Sequence, residues 1–290
     1  MTTSESTSRK PNIIYHYCGV GGFRGILESK TLWLSNAYFL NDYMEHRWVL
    51  DRVVANLIQL RVQDERRSAC DALLEAMCTP AVRPIHPYVC CFSSDSDLLS
   101  QWRAYSDDGA GFAIGFSTSA IEKHCAENAK QHGLGLSLKP VVYETAEQDE
   151  LTTSVLDTYF SSFPTQPEGA IWSLVMPTHG FIWTAAAISK NHGFREENEC
   201  RVLLLPKYTD AVPLAAAFPE IGPSEMCFRV SGDRIIPYFK FSFSVEDVVE
   251  LRLGPKNHAR EGRFGLEMFL RHNGYDLGGI SIINSEATYR

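Results

Sequence analysis

Short runs of apolar residues, broken by glycine, proline and charge, set the first expectations. Ile13–Tyr17 reads as a β-strand and Thr31–Ser35 as a second. Between them Gly21-Gly22 opens a small helix on which Phe23, Ile26 and Leu27 share a face. From about Asp42 to Cys78, Val49, Leu50, Val53, Val54, Leu57 and Ile58, then Leu73, Leu74 and Met77, recur at helical spacing. They predict one or two long amphipathic helices, with Arg61–Arg67 as a solvated face or a joint. Pro80, Pro84 and Pro87 end that stretch. Tyr88–Ser93 predicts a strand, Asp97–Tyr105 a helix grouping Leu98, Leu99, Trp102 and Tyr105, and Phe112–Phe116 another strand. Ser119-x-x-Glu122 suggests a capping box for a helix running to about Gln131. Leu138–Tyr143 reads as a strand, and residues 148–192 as a mainly helical insertion interrupted at Pro164, Pro167 and Pro177. Strands at Val202–Leu205, Met226–Val230, Arg234–Phe243 and Val248–Leu253, a helix at Ala259–Asn273 and a strand at Gly279–Ile283 follow. Strands cluster between helices without a regular βα alternation, which argues an α+β fold as one elaborated domain over residues 11–290.

Composition narrows the classes. With 290 residues, 44% hydrophobic and 21% charged, the chain is ordinary globular protein, not collagen, coiled coil or a disordered polymer. A net charge of −8 opposes binding to nucleic acid through phosphates alone, while leaving a specific nucleic-acid target open. Residues 1–10 are polar and read as a disordered leader, not a signal peptide. No apolar run approaches a membrane span. Eight scattered cysteines without a C-x-x-C pair read as free thiols in a reducing cytoplasm, and no metal site is expected. Asp107–Gly111 lacks the Lys-Ser/Thr partner of a phosphate loop and reads as a turn.

Three segments hold more polar chemistry than strand packing needs. In Ile14–Gly19, His16 is either a core histidine bonded to a carbonyl or a functional imidazole. In Cys91–Asp97, a strand runs into a polar helix start where Ser94, Asp95 and Ser96 all suit an N-cap. Trp102 and Tyr105 beyond it suit a core, while Arg103 offers a planar fork for phosphate or carboxylate. In Phe194–Val202, Glu197 and Glu199 lie two apart, so an extended chain points both to one side, with Arg201 on the same face as a neutralising base. A charged strand edge that blocks aggregation would have the same pattern.

Together these segments resemble a bacterial family of unknown function, DUF2971. The residues that carry the resemblance are Tyr15-His16-Tyr17, Gly25–Ser35, Leu40-Asn41-Asp42, Cys91-Phe92-Ser93, Leu99–Tyr105, Gly109–Phe116, Lys190, Glu197-x-Glu199-x-Arg201 and Ser285–Arg290. Beneath it lies a similarity to the ADP-ribosyltransferase fold, a split β-sheet with a three-part signature around a nicotinamide pocket. That similarity implies NAD as substrate and cleavage of its nicotinamide–ribose bond, by an ADP-ribosyltransferase or an NAD glycohydrolase of toxin or anti-phage type. The ADP-ribose acceptor could be protein, RNA or DNA. The implied catalytic residues are Glu199, Glu197 and His16, with either glutamate as the central carboxylate. The implied cofactor contacts are His16, Tyr17, Ser35, Ser93 or Ser94, Trp102 or Tyr105 for stacking, and Arg103 and Arg201 for the pyrophosphate or for holding the acids. The alternative is a pocket that senses a nucleotide or an ADP-ribose derivative without consuming it.

Overall fold

The computed structural model describes residues 12–39, 43–79, 86–132, 135–163, 171–205, 226–260 and 262–289. The expected leader, the Leu40–Asp42 motif and the breaks at Pro80, Pro84, Pro164 and Pro167 lie outside them. The described residues mix helices with a large mixed sheet that contains antiparallel and parallel pairs. They group into two compact units, each assembled from segments distant in sequence.

The first unit comprises the residues up to Lys30, Phe92–His124 and the residues from Phe243 onward. Its strands are β1 (Ile13–Cys18), β4 (Phe112–Ser117), β9 (Val248–Leu253) and β10 (Ser281–Asn284), adjacent in the order β10–β9–β4–β1. The register sets Ile14 opposite Phe116 and Ile114 opposite Leu251, so apolar side chains stack across neighbouring strands. Helix α1 (Val20–Ser29) buries Phe23 and Leu27, and Phe23 stacks on Phe112 at 3.9 Å. The Asp107 carboxylate accepts a hydrogen bond from the Val20 N–H at 3.0 Å, placing negative charge at the helix start where the backbone dipole favours it. Helix α8 (Arg263–His272) buries Leu266 and Leu270.

Helix α4 (Leu99–Tyr105) starts two residues later than the apolar spacing suggests. The reason is local: the Asp97 N–H donates to the Asp95 carboxylate, and the Asp95 N–H donates to the Ser93 hydroxyl. These side chains build a turn that competes with the helix. The turn before β4 contains Gly109 at φ 90° and a close approach at Gly111, where a Cβ would lie 2.2 Å from the Cys18 carbonyl. Gly111→Ala must therefore push backbone against backbone. It is expected to cost about 3 kcal/mol, read as a lowered urea midpoint; an unchanged midpoint would mean this contact is looser than described.

The second unit comprises Thr31–Cys91 and Cys125–Ser242. Strands β2 (Thr31–Asn36), β3 (Tyr88–Ser93, whose residues up to Cys91 belong to this unit), β7 (Met226–Ser231) and β8 (Arg234–Ser242) run in the order β3–β2–β8–β7. Strand β6 (Glu199–Leu205) pairs with both β3 and β5 (Gly135–Pro140). The expected strand at Leu138–Tyr143 is displaced toward the N-terminus and ends at Pro140, whose missing N–H cannot continue a ladder. Val142 instead makes an isolated bridge to Ser189.

Helices α2 (Tyr43–Leu60), α3 (Arg67–Cys78), α6 (Thr145–Ser162) and α7 (Ile171–Ala187) form this unit's helical layer. Their shared core contains Val53, Leu57, Leu73, Leu156, Val175 and Ile182. Arg61–Arg67 is a joint with a short 3-10 turn at Asp64–Arg66. Pro177 does not interrupt the insertion as expected: α7 continues through it. The apolar burial of Val175, Met176 and Ile182 on either side offsets the backbone hydrogen bond that proline forgoes. Helix α5 (Thr118–His132) begins one residue before the proposed capping serine, and the Ser119 hydroxyl pairs with that of Ser117, 3.1 Å away, so it is not the N-cap. None of the eight cysteines forms a disulfide among the described residues, and no described helix is long and apolar enough to cross a membrane.

Candidate functional site

The densest buried charge in the second unit forms where β6 begins. A 3-10 turn at His192–Glu197 is initiated by Asn191, whose side chain accepts from the Gly193 N–H. It ends at Asn198, which sits in the left-handed region at φ 43°, a conformation that asparagine tolerates better than most residues. That residue reverses the chain and launches β6. Glu197 therefore belongs to the turn and Glu199 to the strand. Their carboxylates converge through the Asn198 kink, correcting the expectation that an extended chain aligns them.

Four charged side chains meet here: Lys190, Glu197, Glu199 and Arg201, all buried. Lys190 Nζ donates to Glu197 Oε2 at 2.5 Å and reaches Glu199 Oε2 at 3.4 Å. Arg201 Nε donates to Glu199 Oε1 at 2.7 Å and Nη2 to Oε2 at 2.9 Å, a two-pronged fork between residues two apart on one strand face. Arg201 is only 1% exposed, and its remaining arm donates to the Ala187 carbonyl. Two bases and two acids leave the cluster formally neutral, as buried charge requires. The alternative of a charged strand edge is set aside, because β6 has a partner on each side.

Neighbouring groups hold these charges in place. Burial on its own would raise the Glu199 pKa, but the charge of Arg201, its hydrogen bonds, the charge of Lys190 and the Cys91 thiol prevail and lower it to about 2. The Glu199 N–H donates to the Tyr143 hydroxyl at 2.9 Å, and burial pushes that phenol up to about 12. The Gln148 amide donates to the carbonyls of Val142 and Lys190, each at 2.9 Å, pinning the backbone that carries Lys190. The Lys190 ammonium also lies 4.9 Å from the centroid of the half-exposed Phe194 ring. The residues that line up here can keep the Glu199 carboxylate ionised in a poorly hydrated setting at the start of a strand, beside Glu197.

The other candidates are distributed between the units. Ser35 lies buried on β2 and, with Glu197, Glu199 and Arg201, belongs to the second unit. His16, Tyr17, Ser93, Ser94, Trp102, Arg103 and Tyr105 belong to the first. His16 is half-buried and edge-on to Phe92 at 5.8 Å. The Tyr17 hydroxyl donates to the Asp95 carbonyl and accepts from the Leu98 N–H, and burial raises its pKa. Trp102 is fully buried against Tyr17, with its ring N–H given to Asp97 at 2.7 Å. Of the two stacking candidates, Tyr105 is the one whose ring reaches solvent. Arg103 is exposed, its guanidinium 5.8 Å from the Tyr289 ring centroid.

The roles of Lys190, Tyr143, Gln148 and the Cys91 thiol are not visible in the sequence pattern. Lys190 stood out only as part of a family resemblance, and nothing in periodicity announces the others. Against known families, the decisive match covers the segment from α4 to the start of β6. Residues 101–202 match DUF2971, a protein family of unknown function. The DUF2971 match supports the family resemblance and contains all four members of the buried charge cluster. It does not extend to Tyr15–Tyr17, Gly25–Ser35 or the residues after 202. Comparison with curated proteins and with solved structures returned no match.

Proposed function

We propose that this DUF2971 protein consumes NAD, as an ADP-ribosyltransferase or NAD glycohydrolase built on an ADP-ribosyltransferase-like core. The observation that supports this is the buried Glu197–Glu199 pair, in contact with Lys190 and Arg201, whose charges hold the Glu199 pKa down. Cleavage of the C1′–N bond sends the bonding electrons out with neutral nicotinamide and leaves positive charge on the ribose ring. An ionised, poorly hydrated carboxylate that accepts from the ribose 2′-hydroxyl stabilises this charge more than the ground state. Glu199 fills that role as the carboxylate that Arg201 holds ionised. Water, or a hydroxyl or amine of a protein or nucleic-acid acceptor, then attacks C1′ and gives up a proton, for which Glu197 is assigned as the base. The −8 net charge favours a specific acceptor over nonspecific nucleic acid.

A second reading draws on the fork itself. Both Glu199 oxygens are engaged by Arg201, which suits a nucleotide sensor whose carboxylate is structural. The test is incubation of the purified protein with NAD, with and without cell lysate, measuring released nicotinamide. Glu199→Gln and Glu197→Gln are run beside it, with thermal unfolding to verify folding. Release that falls by about 10²-fold or more in a folded Glu199→Gln variant is the expected result. No release, with NAD or ADP-ribose raising the melting temperature, would select the sensor. Neither release nor stabilisation would overturn both readings.

A further inference from the structure

Residues 141–143 follow β5 and lie between the two stretches of chain that carry the buried charge. The Val141 N–H donates to the Glu199 carbonyl at 2.9 Å, and the Tyr143 hydroxyl accepts from the Glu199 N–H at 2.9 Å. Both backbone polar groups of Glu199 are therefore held by this one segment. On its other side, the Val142 N–H donates to the Ile188 carbonyl at 2.7 Å, and the Val142 carbonyl accepts from the Lys190 N–H at 3.0 Å. Successive backbone groups of an extended chain point to opposite edges, so three residues serve both neighbours.

Gln148 closes the arrangement from α6. It is 1% exposed, and its Nε2 donates to the carbonyls of Val142 and Lys190. Its Oε1 accepts from Arg52 Nη2 at 3.1 Å, so partners on both sides decide which end of the amide is which. Arg52 is itself anchored to the Asp149 carboxylate at 2.8 Å. Lys190 thus has its N–H on Val142 and its carbonyl on Gln148, much as Glu199 has its carbonyl on Val141 and its N–H on Tyr143. The Val142 carbonyl takes two donors, the Lys190 N–H and the Gln148 amide, and is the point where the two halves join. A buried polar network satisfied in this way specifies one geometry.

We infer that residues 141–143 and Gln148 act as one splint that sets the Glu199 carboxylate against the Lys190 ammonium, with Tyr143 and Gln148 as positioning residues for nicotinamide release. The inference rests on the NAD reading above and deepens it, since it names what places the carboxylate that the reading uses. Displacing a group by about 1 Å from where charge develops can remove most of its effect on rate. Tyr143 and Gln148 act through Glu199 and Lys190, so losing either should slow turnover without weakening substrate binding.

Nicotinamide release is measured across NAD concentrations for Tyr143→Phe and Gln148→Met, together with hydrogen exchange at the Glu199 amide. Tyr143→Phe keeps the ring and loses the hydroxyl, and Gln148→Met keeps the chain length and loses the amide. Each should lower kcat at least about tenfold while KM changes less than about twofold. Gln148→Met leaves the atoms of the Glu199–Tyr143 bond in place, yet it should speed exchange of the Glu199 amide at least about tenfold, because the splint yields as a unit. Thr152→Val, one turn further along α6, is the control: the Thr152 hydroxyl donates to the Gln148 and Asp149 carbonyls within that helix, so kcat and exchange should stay at wild-type values. Thermal unfolding verifies folding, and the half-buried Tyr143 carries the kinetic test if Gln148→Met does not fold. Release by wild type with kcat unchanged in the folded variants, or Gln148→Met indistinguishable from Thr152→Val in rate and exchange, overturns the inference and leaves NAD cleavage standing. No release by wild type overturns NAD cleavage, and the positioning role with it.

Discussion

Arg201→Met is expected to lower stability by about 4 kcal/mol, because it strands the Glu199 carboxylate in a buried site without its main partner. The size follows from an asymmetry in buried ion pairs. Forming the pair repays desolvation only roughly, whereas removing one member leaves the other charge uncompensated. Lys190 cannot take over, since it lies 3.4 Å from Glu199 and is already held by Glu197 at 2.5 Å. The double variant Arg201→Met with Glu199→Leu should recover most of the loss, because it removes both charges and retains apolar volume. Urea unfolding of wild type, single and double variants measures this. A single variant as stable as wild type would show that Glu199 is hydrated and that the neutral cluster is not a structural requirement.

Stability should also fall with acid in a way traceable to the same carboxylate. Glu199 titrates near 2 in the folded protein against an ordinary value of 4.5. Because the folded pKa is depressed, the unfolded chain binds more protons between these values, and stability rises with pH there. The contribution is complete above about pH 5 and is lost as pH falls toward 2. A pKa difference of about 2.5 corresponds to about 3 kcal/mol, of which about 2 kcal/mol should be gone by pH 3. Urea unfolding from pH 7 to pH 3 should show this excess loss in wild type relative to the Arg201→Met, Glu199→Leu double variant. Parallel pH dependence in the two would assign the acid sensitivity to other groups.

Much of the strand pattern was legible because β3 and β4 are nearly continuous apolar runs and β1, β8 and β9 are apolar runs interrupted by only a few polar residues. Element ends were harder to read, since they depend on side-chain competition: Ser93 and Asp95 delay α4, and Pro140 ends β5. Pro177 misled because a local rule was overridden by burial along the rest of α7. At the site, Glu197, Glu199 and Arg201 were legible as two acids and a base at close spacing. Their geometry was not, because it depends on the left-handed Asn198 and on Lys190, which another segment supplies. The aromatic pair at Trp102 and Tyr105 shows the same limit. Helical spacing grouped them, but only the Asp97 and Tyr17 contacts reveal that Trp102 is sequestered.

The interleaving of the two units has a consequence for how the chain is synthesised and dissected. The polypeptide passes from one unit to the other four times, after Lys30, Cys91, His124 and Ser242. Strand β4 lies between β1, long since translated, and β9, which follows more than a hundred residues later. A nascent chain must therefore keep β4 with one bare edge until Val248–Leu253 has emerged, an interval in which chaperones or aggregation compete for it. The same wiring means that the limits of the family match are not the limits of anything able to fold. A fragment of residues 101–202 would contain β4 without either flanking strand, and the first residues of β6 without β3.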